Sequence, residues 1–174
     1  MAKHYRIAVT GHRNLVNEST AQFVRRCFIT ILTRAKQEHP EGVIALSGLA
    51  EGTDSLFAEI ALQLSIPVEA VIAYKNFFND FAPGPARKRY RHLLLQCQAV
   101  HQLPYRQRSD EAYLAAGNWL VNHSDLLVAA WNGQPAEGKG GTGDVVYYAL
   151  QRQRPIEHIH TTEFIIEHLK PTIR

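Results

Sequence analysis

Short apolar stretches alternate with longer amphipathic stretches along the chain. Buried strands are predicted where four to six consecutive residues are mostly apolar, at residues 5–9, 43–46, 68–73, 99–103, 126–131 and 155–160. Apolar residues that recur every three or four positions predict helices at residues 19–39, 53–64, 86–98, 110–123, 144–153 and 162–169. This alternation is typical of a parallel sheet that carries helices on its faces.

The third predicted strand supports a parallel sheet. Residues 68–73 are apolar or small apart from Glu69, as expected where helices cover both faces of a sheet. No internal repeat, low-complexity tract or Ser/Gly-rich linker interrupts the chain of 174 residues. We therefore predict one domain over residues 1–174, a doubly wound α/β sandwich of three layers with a mostly parallel central sheet.

In such sheets ligands bind beyond the carboxyl ends of the strands, and three glycine-containing loops follow predicted strands there. The first loop is Thr10-Gly11-His12-Arg13. Gly11 allows the backbone to approach a ligand, and the guanidinium of Arg13 suits a phosphate. His12 has three open roles, which are proton donor, hydrogen-bond partner and helix-packing residue.

The second loop covers residues 47–54 and leads into a helix whose first backbone N–H groups are free to bind an anion. Asp54 either caps this helix or accepts hydrogen bonds from ribose hydroxyls, and Glu51 is either a solvated side chain or a catalytic carboxylate. The predicted ligand contacts of this loop are Ser47, Gly48, Leu49, Ala50, Gly52, Thr53 and Asp54.

The third loop, residues 131–143, is unusually rich in glycine. Residues 133–140 read G-x-x-x-x-G-K-G, which lacks the final Ser or Thr of a P-loop, and residues 138–143 read G-x-G-x-x-G but do not follow the first strand. A backbone nest for phosphate remains the prediction. Its expected contacts are Trp131, Asn132, Gly138, Lys139, Gly140, Gly141, Thr142 and Gly143.

Other side chains give weaker signals. His158 and His160 share one face of a strand without a nearby Cys or Asp, so we predict no metal site and no cofactor. Tyr74 lies at a strand end where a base could stack, with core packing as the alternative. Arg87 and Arg91 lie one helical turn apart and either close over a phosphate or form a solvated face.

The charge is unevenly distributed. The chain has 19 basic and 16 acidic residues, a net charge of +3, and residues 81–109 contain no acid. A local basic patch suits a small anionic ligand better than a long nucleic-acid track. No apolar stretch is long enough to cross a membrane, and residues 1–6 lack a signal-peptide core, so we expect a cytoplasmic protein with reduced Cys27 and Cys97.

Taken together, the three loops resemble the SLOG superfamily, over about residues 5–160. Residues 47–54 are similar to the S-G-x-A-x-G-x-D motif of its DprA branch, and residues 138–143 are similar to the G-G-x-G-T loop of its LOG branch. The resemblance implies a Rossmann-like fold that binds nucleotides or nucleotide-derived ligands at these loops, often as a homodimer or a higher homo-oligomer.

The branches of this superfamily imply different activities. LOG enzymes are phosphoribohydrolases that cleave the N-glycosidic bond of nucleoside monophosphates with a P-G-G-x-G-T-x-x-E motif, whereas here Val145 stands at the position of the glutamate and Asp144 precedes it. DprA proteins bind single-stranded DNA, but the extended aromatic and basic platform that this task uses is missing from the sequence.

The preferred hypothesis is therefore a binding or sensor domain for a small nucleotide-derived ligand, ADP-ribose-like or cyclic, that signals through a separate effector protein. A nucleotide hydrolase that uses Asp144, Asp54 or Glu51 is the alternative, and a DprA-like single-stranded DNA binder is the second alternative.

Overall fold

The structure is a computed structural model that describes residues 3–136 and 138–169. In these residues the chain forms one seven-stranded sheet in the order β4-β3-β2-β1-β5-β6-β7. The strands are β1 Tyr5–Gly11, β2 Val43–Ser47, β3 Val68–Ile72, β4 Ala99–Gln102, β5 Leu126–Trp131, β6 Ile156–His160 and β7 Ile165–Leu169. The helices are α1 Glu18–Glu38, α2 Thr53–Gln63, α3 Pro85–Gln96, α4 Asp110–Asn122 and α5 Thr142–Gln151, with a 3-10 turn at Phe77–Asp80.

Strands β1 to β6 are parallel, and the chain changes direction across the sheet after β4. From β1 it winds outward to β4, then returns through α4 to place β5 on the other side of β1, where Val9 pairs with Val128. Right-handed connections put α1, α2 and α3 on one face and α4 and α5 on the other. The predicted doubly wound α/β fold is thus confirmed, and its switch point lies between β1 and β5.

The core lies on both faces of the central strands. Every residue of β2 and of β3 is buried, and Phe28 of α1 meets Phe57 of α2 edge to face at 5.1 Å between ring centroids. Each large apolar side chain that is fully buried contributes about 1.5–3 kcal/mol. This core holds the strand ends, and therefore the loops that follow them, in fixed positions.

The helix predicted at residues 162–169 is wrong. The chain turns at Phe164, whose φ is 56°, and then forms β7, which pairs antiparallel with β6 so that His160 faces Ile165. A helix of this length is marginal by itself, and the adjacent β-branched residues Ile165 and Ile166 favour a strand. The open edge of β6 supplies the hydrogen bonds that stabilise this strand.

Side chains cap the starts of two helices. Asn17 caps α1, because its side chain accepts a hydrogen bond from the N–H of Thr20 at 2.9 Å. Ser109 caps α4 by accepting from the N–H of Ala112 at 3.1 Å. In the described residues no helix combines the length and the apolar character needed to cross a membrane.

Candidate ligand-binding site

The loops that follow β1, β2 and β5 meet beside the start of α4 and enclose a cleft of about 600 Å³ at the carboxyl edge of the sheet. Most of the predicted contacts line it, namely Thr10, Gly11, His12, Arg13, Gly48, Ala50, Asp54, Trp131, Asn132, Gly138, Lys139, Gly140, Gly141, Thr142 and Gly143. Several side chains that the sequence did not single out line it as well, among them Phe77, Arg108, Asp110 and Tyr113. The cleft lies where the topology predicts a ligand site.

The first two loops are locked together by hydrogen bonds. The N–H and the Oγ1 of Thr53 both donate to the carbonyl of His12, at 3.1 and 2.9 Å. A Cβ on Gly11 would lie 2.5 Å from the carbonyl oxygen of Ala130 and 2.5 Å from Cγ2 of Thr53. Close packing between β5 and the second loop therefore explains Gly11 without any ligand. Thr53 is fully buried and does not line the cleft.

His12 connects the first loop to the third. Its Nε2 accepts a hydrogen bond from the N–H of Asn132 at 3.2 Å, while its own backbone N–H donates to Ala130 at 3.1 Å. An imidazole nitrogen accepts only when it carries no proton. Of the three roles that the sequence left open, the geometry supports the hydrogen-bond partner.

The third loop packs on α4. Gly140 has φ of 80°, and a Cβ there would lie 2.6 Å from the backbone nitrogen of Leu114 and 2.9 Å from Cβ of Tyr113. No other residue type fits this backbone conformation and this contact. The loop then enters α5 at Thr142, so the start of α5 lies at the cleft, next to Lys139.

The side chain of Asp144 forms a hydrogen bond within the third loop. Its Oδ2 accepts a hydrogen bond from the N–H of Gly140 at 2.9 Å, and its side chain does not line the cleft. Val145, at the position of the LOG glutamate, is buried and lies over Gly117 of α4. This geometry gives Asp144 a structural contact within the third loop.

Four further residues of the second loop also lie outside the cleft. Ser47 is fully buried, donates to the carbonyl of Asp54 at 2.9 Å and accepts from the N–H of Leu49 at 3.0 Å. Leu49 is fully buried with φ of 54°. Glu51 is exposed, and neither it nor Gly52 lines the cleft. These residues shape the loop, whereas Gly48, Ala50 and Asp54 face the cleft.

Asp54 is the carboxyl group of the second loop that faces the cleft. Burial raises its pKa to about 7, although the charge of Arg13 and a backbone hydrogen bond at Ala50 act in the opposite direction. Within the described residues no side chain hydrogen bonds to this carboxyl group. Asp54 is therefore available to a ligand and changes its charge near neutral pH.

Arg13 is held by a network that the sequence reasoning missed. Its Nη1 donates to Oδ2 of Asp80 at 3.1 Å, and its guanidinium carbon lies 5.0 Å from the ring centroid of Tyr113. The hydroxyls of Tyr74 and Tyr113 both donate to Asp80. Arg108 lies 5.8 Å from the same Tyr113 ring. The sequence offers one signal for this network, which is that Asp80 directly precedes the acid-free residues 81–109.

The other arginine and aromatic candidates contact protein groups, and of these only Trp131 lines the cleft in the described residues. Arg87 and Arg91 lie 5.4 and 5.9 Å from the ring of Phe78, and neither lines the cleft. The hydroxyl of Tyr74 is bound to Asp80, and its ring is buried. Trp131 lines the cleft and donates from Nε1 to the carbonyl of Gln134 at 2.8 Å, which fixes its indole within the third loop.

The two strand histidines have other partners. Nε2 of His158 lies 3.0 Å from the carbonyl oxygen of Trp131, and Nδ1 lies 3.3 Å from Oε2 of Glu167. Nε2 of His160 lies 3.6 Å from Oε1 of Glu163. Among residues 3–136 and 138–169, no three metal-ligating side chains come together.

No family model and no curated protein matches the chain. Solved structures do. DNA processing protein A (DprA) from Streptococcus pneumoniae aligns over 89% of this chain and 50% of its own length, with a TM-score of 0.62 and 18% identity. DprA from Helicobacter pylori, described for its single-stranded DNA binding mode, aligns over 87% of this chain and 63% of its own length, with a TM-score of 0.61 and 15% identity.

A molybdenum cofactor binding protein from Rippkaea orientalis aligns over 90% of this chain and 76% of its own length, with a TM-score of 0.58 and 17% identity. The chain spans about half of the first DprA and less than two thirds of the second. At these identities the likeness concerns the fold. The chain thus has the predicted Rossmann-like fold, the fold that it shares with these DNA processing and molybdenum cofactor binding proteins.

Proposed function

We propose that the chain binds a small nucleotide or nucleotide-derived ligand, ADP-ribose-like or cyclic, at the carboxyl-edge cleft. The observation that carries this proposal is the convergence of three loops on one cleft of about 600 Å³ that holds Arg13, Lys139, Asp54 and the start of α5. This volume lies within the usual range for small-molecule sites. The structural neighbours, which include a cofactor-binding protein, support a nucleotide-related ligand.

Phosphate is assigned to the side of the cleft formed by the first and third loops. Arg13 and Arg108 supply guanidinium groups there, and Lys139 supplies an ammonium group. The first two residues of α5, Thr142 and Gly143, line the same cleft, and N–H groups in the first turn of a helix have no partner within that helix. Such a set of cations and backbone donors is suited to phosphate oxygens.

The sugar is assigned to Asp54. An ionised carboxylate has two oxygens and can accept hydrogen bonds from both hydroxyls of a ribose. Because its pKa lies near 7, a ligand that donates to Asp54 binds better as the pH rises through this value. Binding then lowers the pKa of Asp54.

Binding without turnover agrees best with the placement of the carboxylates. Of the three candidate catalytic acids, Asp144 contacts Gly140 and Glu51 lies outside the cleft, which leaves Asp54.

One observation favours the second candidate function, a nucleotide hydrolase. A carboxyl group with a pKa of about 7 in a cleft is suited to protonate a departing base.

The test is a thermal-shift and calorimetry panel of AMP, ADP, ATP, NAD, ADP-ribose, cyclic nucleotides and a single-stranded DNA oligomer. Chromatography of the same mixtures detects released base. At 100 times the dissociation constant a bound ligand adds about 2.7 kcal/mol to the free energy of unfolding. A shift without released base supports the binding proposal, and released base supports the hydrolase.

Two variants make this test specific. Arg13→Gln removes the cleft arginine, and the control Arg89→Gln removes an arginine that pairs with Glu59 at 2.5 Å outside the cleft. The proposal requires that the first variant lose the nucleotide shift and that the second retain it. A shift with DNA alone that weakens steeply with salt identifies a nucleic-acid binder instead.

The remaining parts of the proposal concern assembly and location. We expect a homodimer or higher homo-oligomer, an expectation supported by the exposed apolar residues Phe164, Ile165 and Ile166 at the edge of the sheet. Sedimentation measures this state directly. A separate effector protein and a cytoplasmic location complete the proposal, and both rest on the sequence.

A further inference from the structure

Asp80 is the centre of a polar cluster beside the cleft. Its side chain is only 3% exposed, and it accepts hydrogen bonds from the hydroxyls of Tyr74 and Tyr113 and from Nη1 of Arg13. Asp80 ends the 3-10 turn and Tyr74 lies six residues before it, whereas Tyr113 comes from α4 and Arg13 from the loop after β1. The contacts of Asp80 with Tyr113 and Arg13 therefore depend on the tertiary fold.

The cluster keeps Asp80 ionised. Burial alone acts to raise the pKa of this carboxyl group, but the two tyrosine hydroxyls and Arg13 outweigh burial and hold its pKa below the usual value. An unpaired buried carboxylate is strongly unfavourable, and apolar residues of similar volume often stabilise a fold as well as a buried ion pair does. Stability alone therefore does not account for this arrangement.

The position of Arg13 does account for it. The Asp80 side of the pair is buried, whereas the Arg13 side chain is 43% exposed and lines the cleft. One nitrogen of the guanidinium is bound to Asp80, and a guanidinium has five N–H donors. The hydrogen bond to the buried Asp80 thus holds the remaining N–H donors of Arg13 at the cleft.

Tyr113 extends this anchor to the third loop. Its hydroxyl binds Asp80, its ring lies beside Arg13, and its Cβ is the close neighbour of Gly140. The arginine of the first loop and the glycines of the third therefore contact the same tyrosine. A change at Tyr113 moves both sides of the proposed phosphate site.

We propose that Asp80, Tyr74 and Tyr113 are positioning residues that fix the Arg13 guanidinium for the anionic group of the ligand. This inference rests on the proposed function. A free arginine side chain loses rotamer entropy when it binds an anion, so a site that has already ordered the arginine binds the anion more tightly. The three residues do not need to touch the ligand.

The first experiment compares ligands with and without phosphate. AMP, adenosine and pyrophosphate are titrated by calorimetry into the wild type, Asp80→Asn and Tyr113→Phe, with Tyr148→Phe as the matched control because its hydroxyl contacts Asn122 outside the cleft. We expect AMP and pyrophosphate to bind roughly tenfold more weakly to the first two variants, the loss typical of one charge-assisted hydrogen bond. Adenosine affinity stays within about twofold in Asp80→Asn, because adenosine has no phosphate and Asp80 lies outside the cleft.

A double-mutant cycle separates positioning from a general loss of structure. If Asp80 acts through Arg13, the double variant Arg13→Gln, Asp80→Asn binds AMP no more weakly than Arg13→Gln alone. Additive losses, or an equal loss of adenosine affinity, overturn the inference. Thermal melting of each variant shows whether it is folded before its affinity is compared.

A second measurement needs no ligand. Nitrogen-15 relaxation of the Arg13 Nε–H group reports whether the side chain is ordered, and we expect this order to fall in Asp80→Asn and to remain in Tyr148→Phe. An Arg13 that stays ordered in Asp80→Asn overturns the inference whether or not a nucleotide binds. An Arg13 that loses its order in a protein that binds neither AMP nor pyrophosphate supports positioning and contradicts the proposed function.

Discussion

Two partly buried arginine-carboxylate pairs lie at opposite edges of the sheet and differ in how the arginine is used. At the amino edge, Arg6 donates from Nη2 and Nη1 to Glu69 at 2.6 and 3.3 Å and from Nε to the carbonyl of His123 at 2.8 Å. At the carboxyl edge, Arg13 donates to Asp80 from Nη1. Side-chain exposure is 22% for Arg6 and 43% for Arg13.

The difference lies in the donors that remain. The guanidinium of Arg6 points all three nitrogens at protein oxygens, and Glu69 gains further hydrogen bonds from Gln98 and His101. That pair joins β1, β3 and β4 and completes a structural contact. Arg13 keeps donors at the cleft while its carboxylate partner is buried. Similar chemistry thus serves the fold at one edge and, under the proposed function, a ligand at the other.

The largest expected effect comes from breaking the amino-edge pair. Arg6→Gln leaves the carboxylate of Glu69 without its strongest partner, and we expect the free energy of unfolding to fall by about 2–3 kcal/mol. Urea denaturation measures this, with Arg89→Gln as the exposed control. If Arg6→Gln loses no more unfolding free energy than Arg89→Gln does, the Arg6–Glu69 pair is not a structural contact and the contrast between the two edges fails.

The matching change at the carboxyl edge, Arg13→Gln, is expected to affect ligand affinity more than stability. Arg13→Gln is expected to weaken binding of a phosphate-bearing ligand about 10- to 100-fold, and to lower the free energy of unfolding by only about 1 kcal/mol, because Asp80 keeps the hydrogen bonds from Tyr74 and Tyr113. Calorimetry and urea denaturation of the same sample test both halves. Strong destabilisation with unchanged affinity would contradict the assignment of Arg13 to the ligand.

The carboxyl groups differ between the edges in their pH dependence. Arg6 and the hydrogen bonds from His101 and Gln98 overcome burial and lower the pKa of Glu69 to about 2, so its stabilisation is present above about pH 4.5 and is lost as the pH falls toward 2. Burial raises the pKa of Asp54 from 3.8 to about 7, so its contribution is full below pH 3.8 and is lost as the pH rises to 7.

Asp54→Asn therefore tests the cleft carboxyl directly. Relative to the wild type, the variant should gain about 1–2 kcal/mol of unfolding free energy between pH 4 and pH 8, since it has no charge to bury. This gain is smaller than the full pKa shift would give, because the half-buried side chain is partly screened by solvent at the cleft. Urea denaturation at pH 4, 6 and 8 measures the difference. A difference that stays constant over this range would mean that Asp54 ionises with an ordinary pKa.

A smaller effect distinguishes two glycines of the third loop. Gly140→Ala places a Cβ 2.6 Å from the nitrogen of Leu114 at a positive φ, and we expect a loss of about 1–2 kcal/mol in unfolding free energy. Gly138→Ala meets nothing within 4 Å and serves as the control. Equal stability of the two variants would show that the third loop does not pack on α4 as described.

The smallest effect concerns Asp144. Asp144→Asn keeps the shape of the side chain but removes the charge that meets the N–H of Gly140 and the start of α5, and we expect a loss of about 0.5 kcal/mol. Ligand affinity should remain within about twofold, because the side chain lies outside the cleft. A large loss of affinity or of base release would return Asp144 to the ligand.

Much of the fold could be predicted because parallel strands leave a strong local signal. The order of strand and helix predicted the sheet, and the sheet predicted that the loops after β1, β2 and β5 share one edge. The helix predicted near Ile165 failed because an open edge of β6, a tertiary feature, decided the structure of a short ambiguous segment.

The site was predicted less completely, for a physical reason. Glycines and charged residues in loops are visible in the sequence, but the packing that uses them is not. Gly11 serves contact between β5 and Thr53, and Asp80 reaches Arg13 across 67 positions. Contacts between residues that are far apart in the sequence depend on the whole fold, so a local motif does not predict them.

The switch point between β1 and β5 also sets when the cleft exists during folding. Val9 must pair with Val128, so both walls are in place only after more than a hundred intervening residues have been synthesised and β5 has docked. Non-local parallel pairs form slowly, because the chain entropy of closing such a loop opposes them. The cleft is thus completed late, and a nascent chain that lacks β5 has only one of its two walls.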